Sequence, residues 1–195
     1  MKASWIKASA LVVGVVIGSV SFSAYAQKNV EVSALEVDVS ASQYVMQSNE
    51  IAAKLAPVKA IDDLKACIAR TPVDSSPLNY LSPAAKSRFL SSLQFNEKGV
   101  SSFSYADLEA EMTPSQIYEV LSLFGIQRTV SFMKRARVMN DTDRLIMGMP
   151  NAPLGQCNGG NMPGLPLPGC DHDGYRCVGH GSCAQSMSMI CTSNC

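Results

Sequence analysis

Six of the seven cysteines and both histidines of this chain fall within its last 39 residues. Cys157, Cys170, Cys177, Cys183, Cys191 and Cys195 carry the thiols, and His172 and His180 stand among them. Residues of these types at this density support two chemistries, covalent cross-linking or coordination of a soft cation. The spacing C-x12-C-x6-C-x5-C-x7-C-x3-C permits three disulfides in about fifteen connectivities, and spacing alone does not choose among them. Cross-links would substitute for a core that the segment has too few large apolar side chains to build. For the cation, Cys170-x-His172 and Cys177-x2-His180 bring two thiols and two imidazoles close enough to converge on tetrahedral zinc. Cys170, His172, Cys177 and His180 are therefore the candidate metal ligands, although the pattern fits no two-knuckle zinc spacing. Asp171-x-Asp173-Gly174 resembles the middle of a calcium loop. Gly169 at the first ligand position and His180 in place of the bidentate glutamate disfavour calcium.

Seven thiols leave one over. Cys67 lies far from the others, beside an apolar helical stripe. Its readings are a free buried thiol, a bridge docking the cysteine-rich end, or a link between two chains. Catalytic signatures are missing: the sequence has no H-E-x-x-H, P-loop or dinucleotide fingerprint. Gly179-His180-Gly181-Ser182 lacks the G-x-S-x-G pattern of a hydrolase elbow. The expectation is a non-enzyme without a cofactor.

Which chemistry the cysteines follow depends on compartment. Met1 to Ala26 has the form of a secretory signal: Lys2 and Lys7, an apolar run from Ala8 to Val20, and the small-x-small site Ala24-Tyr25-Ala26. The apolar run is shorter than the roughly 20 residues of a membrane helix. The expected product is a secreted or periplasmic chain starting at Gln27, without a stable membrane span. There, disulfides are favoured over zinc. It would keep 14 basic and 16 acidic residues. That near-neutral balance without a basic block excludes nucleic acid as a partner.

The elements that must position these residues read mainly as helices. Residues 27–43 alternate with a phase slip and suggest an extended arm. Tyr44, Ile51 and Leu55 form one helical face, and Val58, Ile61, Leu64 and Ile68 a second, each expected to be buried. Ser82-Pro83 starts a helix whose apolar face is Phe89, Leu90 and Leu93. A turn is expected at 96–99, an extended-then-helical stretch over 100–111, and a capping box at Thr113-Pro114-Ser115-Gln116. Ile117, Leu121 and Phe124 follow on one face, with Gly125 as the stop. Weaker helices are expected over 128–137, with Lys134, Arg135 and Arg137 as a basic cluster, and over 141–147. Residues 148–169 hold 11 Gly or Pro among 22, the composition of a linker.

The expected fold is mainly α. A compact bundle of short antiparallel helices (44–147) precedes a Gly/Pro-rich linker (148–169) and an irregular, disulfide-stapled tail (170–195), with Cys157 joined to the tail. The expected function is an exported interaction protein whose tail presents a surface to another protein or an envelope component. Tyr175, Met187, Met189 and Ile190 are the apolar contact candidates, unless they form a small local core. The alternatives are a precursor that releases a cysteine-rich peptide and a metal-binding tail.

Overall fold

Proline and short polar residues set the helix starts. The structure, a computed structural model, describes residues 43–150, 170–179 and 181–195. Helix α1 spans 43–55 and stops ahead of Pro57. Helix α2 (Ile61–Arg70) is capped by Asp63, whose carboxylate accepts from the N–H groups of Lys59 and Ala60, each at 3.0 Å. Helix α3 (Pro83–Ser92) begins as the Ser-Pro pair requires, with the Ser82 hydroxyl accepting from the Ala85 N–H at 3.3 Å. Asn96 then accepts from the Lys98 N–H at 2.9 Å, and Gly99 turns the chain at φ +115°. This tight turn joins β1 (Gln94–Asn96) to β2 (Gly99–Ser104).

Helix α4 (Ala106–Glu111) and helix α5 (Pro114–Ser122) follow, and Gln116 accepts from the Thr113 N–H at 3.0 Å as the capping box demands. The expected basic helix over 128–137 is instead a short 3-10 helix, Gln127–Phe132, followed by turns. Helix α6 (Asp141–Met147) is the last helix among the described residues. The chain then supplies β3 (His172–Gly179) and β4 (Ser182–Cys191).

These strands overturn the expectation of a helical bundle with an irregular tail. The fold is mixed α/β, with one antiparallel sheet in the order β1-β2-β4-β3. The cysteine-rich end enters that sheet: β4 pairs with β2 through Ser102↔Cys191, Phe103↔Ile190 and Ser104↔Met189. Phe103 and Ile190 are fully buried in the same core as Phe89, Leu108, Ile117, Leu121 and Ile126. Phe89 sits edge-on to Phe103 at 6.3 Å and to Phe124 at 6.2 Å, joining sheet to helices. β2 shows no period-2 alternation because both its faces are covered. Gly99 through Phe103 are all buried, including Ser101 and Ser102.

Helix α1 also departs from expectation. Its stripe of Tyr44, Ile51 and Leu55 is exposed, at 73, 53 and 77 %. The helix packs through its small residues instead. A Cβ on Gly125 would stand 2.7 Å from Ala53 Cα, and Gly125 has φ +68°, so only glycine permits this approach. The second stripe divides: Val58 and Leu64 are buried, while Ile61 and Ile68 are about half exposed. The expected arm (27–43, apart from residue 43) and residues 151–169 of the expected linker lie outside the described residues.

Candidate functional site

In the β3–β4 hairpin Gly179 pairs with Ser182, and the hairpin is cross-linked twice. Cys177 pairs with Cys195 and Cys183 with Cys191. Cys177 and Cys183 face each other across the hairpin, yet each bonds elsewhere. The bridges close loops of 18 and 8 residues, worth about 3 and about 2.5 kcal/mol by loop entropy. Cys170 is also disulfide-bonded. Cys157 and His180, two further predicted site residues, lie outside the described residues.

The Cys183–Cys191 bridge spans a bulge. Pairing jumps from Asp173↔Ile190 to Tyr175↔Gln185, which leaves residues 186–189 of β4 opposite Gly174 alone. Gly174 meets this with φ +79°, and Ser188 is a non-glycine residue at φ +56°. Its carbonyl accepts from the Tyr105 N–H at 3.0 Å, which fixes the base of the bulge. At the outer side Met187 is 94 % exposed, and Val178 on β3 is 57 % exposed. Of the four predicted contact residues, Met187 faces solvent, Ile190 is core, and Tyr175 and Met189 are partly buried.

A buried ion pair ties this hairpin to the helical side. Arg128 donates from Nε to Asp171 Oδ2 at 2.6 Å and from Nη2 to Oδ1 at 3.0 Å, and both side chains are at least nine-tenths buried. Nη2 also donates to Ser193 Oγ at 2.9 Å, and Nη1 to the Gly125 carbonyl at 3.1 Å. Asp171 accepts a further bond from the Ser193 N–H at 2.7 Å. Such a fork-to-carboxylate arrangement fixes direction as well as distance.

Beyond β4, Thr192 Oγ1 and Asn194 Nδ2 both donate to the Val100 carbonyl, at 2.6 and 3.0 Å. The Thr192 N–H reaches the Ser101 carbonyl at 3.0 Å. Tyr105 adds a bond to Asp173. Burial of its phenol, with that bond and the neighbouring carboxylate charge, pushes its pKa up to about 12.

Two of the four predicted metal ligands are not free thiols. Cys170 and Cys177 are oxidised, and His172 lies edge-on to the Tyr175 ring at 6.1 Å. Another grouping appears: the sulfurs of Cys177, Cys191 and Cys195 lie within 4.8 Å of one another. Cys67 is a free thiol, half-buried on α2, with its sulfur 3.8 Å from Thr71 Oγ1. Of the basic cluster, Arg135 pairs with the buried carboxylate of Glu109 through Nη2 at 2.9 Å and Nε at 3.0 Å.

Sequence reasoning missed Arg128, Tyr105 and Ser193 altogether, and read Asp171 only as part of a calcium-like run. Arg128 and Asp171 stand 43 positions apart with no local pattern joining them. The available signal was a charged residue, Arg128, set among the apolar residues Phe124, Ile126, Val130, Phe132 and Met133.

No helix among the described residues is long and apolar enough to cross a membrane. Fold and site together define a cysteine-rich, disulfide-bonded α/β domain whose C-terminal hairpin supplies an inner strand, β4, and an edge strand, β3, of the sheet. No protein-family model matches the chain, nor does any curated protein or solved structure.

Proposed function

We propose that the chain is an exported, non-enzymatic binding protein that engages another protein or an envelope component through the bridged hairpin. The observation that carries this reading is Met187, 94 % exposed in a loop closed by Cys183–Cys191. The backbone of a covalently closed loop loses little conformational freedom on binding, which leaves only the side chain to be ordered. Methionine suits such a contact because its unbranched, polarisable side chain adapts to the partner surface. The signal-like segment at 1–26 and the disulfides favour an oxidising compartment outside the cytosol. The pairing of β4 with β2 weighs against release of the cysteine-rich end as a free peptide, since release would tear a central strand from the sheet.

The test is a photo-crosslinking residue at position 187, compared with the same residue at exposed Ala84 on α3. Incubation with envelope extract should give one discrete adduct from position 187 and none from position 84. The adduct should disappear in Cys183→Ser. Equal adducts from both positions, or none from 187, would refute the hairpin as the contact surface.

A further inference from the structure

The three clustered sulfurs carry an inference separate from the binding surface. Tetrahedral zinc with Zn–S near 2.3 Å places its sulfurs about 3.8 Å apart. The sulfurs of Cys177, Cys191 and Cys195 already lie within 4.8 Å of one another, two of them bonded, so a cage forms when the bonded sulfurs part and Cys191 closes in, shifts of about 2 Å or less. Cys183, whose sulfur is bonded to that of Cys191 in the oxidised chain, is the fourth thiol that reduction frees at this place. We propose that the reduced hairpin is a site for one soft tetrahedral cation, Zn2+, held by the thiolates of Cys177, Cys183, Cys191 and Cys195.

Two features outside the sulfurs support it. First, the backbone that presents Cys191 and Cys195 does not depend on the bridges. Thr192 and Asn194 are hydrogen-bonded to Val100, and Ser193 to the Arg128–Asp171 pair. Ile190 is locked in the core. Reduction therefore frees sulfurs on a scaffold that remains in place. Second, Ser102 is fully buried and its hydroxyl has no hydrogen-bond partner among the described residues. Ser102 is the register partner of Cys191, so both side chains project from the same face of the sheet. A buried orphan hydroxyl is costly. Opposite a thiolate it gains an acceptor and becomes an outer-shell donor that orients the ligand.

The chemistry balances with a dithiol as reductant. Two dithiol molecules reduce the two bridges to four thiols and leave as two cyclic disulfides. Zn2+ then replaces four protons, which pass to solvent, and forms a tetrathiolate of charge −2. This ligand set differs from the sequence-derived one of Cys170, His172, Cys177 and His180.

The test uses the full chain, reduced by a dithiol and freed of it anaerobically, then titrated with Co2+ as a spectroscopic probe. The expected result is one Co2+ per chain with a thiolate charge-transfer band, displaced by Zn2+, and a circular dichroism spectrum matching the oxidised protein once metal is bound. Cys191→Ser and Cys183→Ser should abolish the tetrathiolate spectrum, whereas Cys67→Ser and His172→Ala leave it. Ser102→Ala should weaken the affinity by about tenfold or more. A band that survives Cys191→Ser, that vanishes with Cys67→Ser, or that forms equally in denaturant would overturn the proposal. So would a reduced chain that binds no metal or that metal fails to return to the native spectrum.

Discussion

Replacing Arg128 with methionine keeps a long apolar stem and removes every guanidinium donor of the clamp. Asp171, 4 % exposed, would lose both guanidinium bonds and keep only the Ser193 N–H. Ser193 Oγ and the Gly125 carbonyl would lose their Arg128 bonds as well. Stranding one charge of a buried pair costs about 3–5 kcal/mol. At roughly 2–4 °C per kcal/mol for a chain of this size, the midpoint should fall by about 6–20 °C. The bridges do not rescue the contact, because Cys177–Cys195 and Cys183–Cys191 knit the hairpin to itself and not to β2. Denaturant unfolding with disulfides intact measures the loss. The double variant Arg128→Met/Asp171→Leu removes the stranded carboxylate, and it should be more stable than Arg128→Met alone. An Arg128→Met cost below about 0.5 kcal/mol, in the range of ordinary surface changes, would refute the clamp. So would a double variant whose cost is the sum of the two single ones.

Three further predictions concern separate parts of the fold. Gly125→Ala should destabilise by more than about 1 kcal/mol, because the backbone there is left-handed and a Cβ collides with Ala53; thermal unfolding reads this directly. Burial raises the pKa of Asp143, but bonds from the Ser115 hydroxyl and from the Met139, Ser115 and Asn140 backbone outweigh it and the net shift is downward. Its contribution is thus present above the unfolded aspartate pKa and lost as pH falls through the lower folded value. Asp143→Asn should cost about 1–3 kcal/mol at neutral pH and show a shallower loss of stability below about pH 4. For Tyr105 the folded pKa of about 12 exceeds its ordinary value of 10.0. The native state holds the proton longer, so stability should decline as pH rises from about 10 through 12. Tyr105→Phe should lack that component in pH-dependent denaturation.

Local signals in the sequence located several elements correctly. Ser82-Pro83, the Thr113–Gln116 box and the Asn96–Gly99 turn each act within four residues, and each is where the sequence places it. The expected extended start of the 100–111 stretch is β2, but its place in a sheet, and the strands β1, β3 and β4, escaped because the pairing partners are remote and the composition misleads. β2 is half serine with both faces buried, and β4 is interrupted by a bulge that breaks its alternation. The α1 stripe misled in the opposite sense: Tyr44, Ile51 and Leu55 have core spacing but face solvent, since Gly125 admits only the small side of the helix. At the site, clustering of cysteines was legible from spacing alone. The pairing and the Arg128–Asp171 contact were not, because both depend on where the sheet brings β4.

The central claim is that the cysteine-rich hairpin is built into the sheet of the domain. Amide hydrogen exchange on the oxidised protein tests it at two positions, the Thr192 N–H bonded to Ser101 and the Tyr105 N–H bonded to Ser188. Both should exchange only as slowly as the buried α5 amides around Ile117, through global unfolding. Exchange at the rate of an open chain at both positions, with α5 still protected, would contradict it.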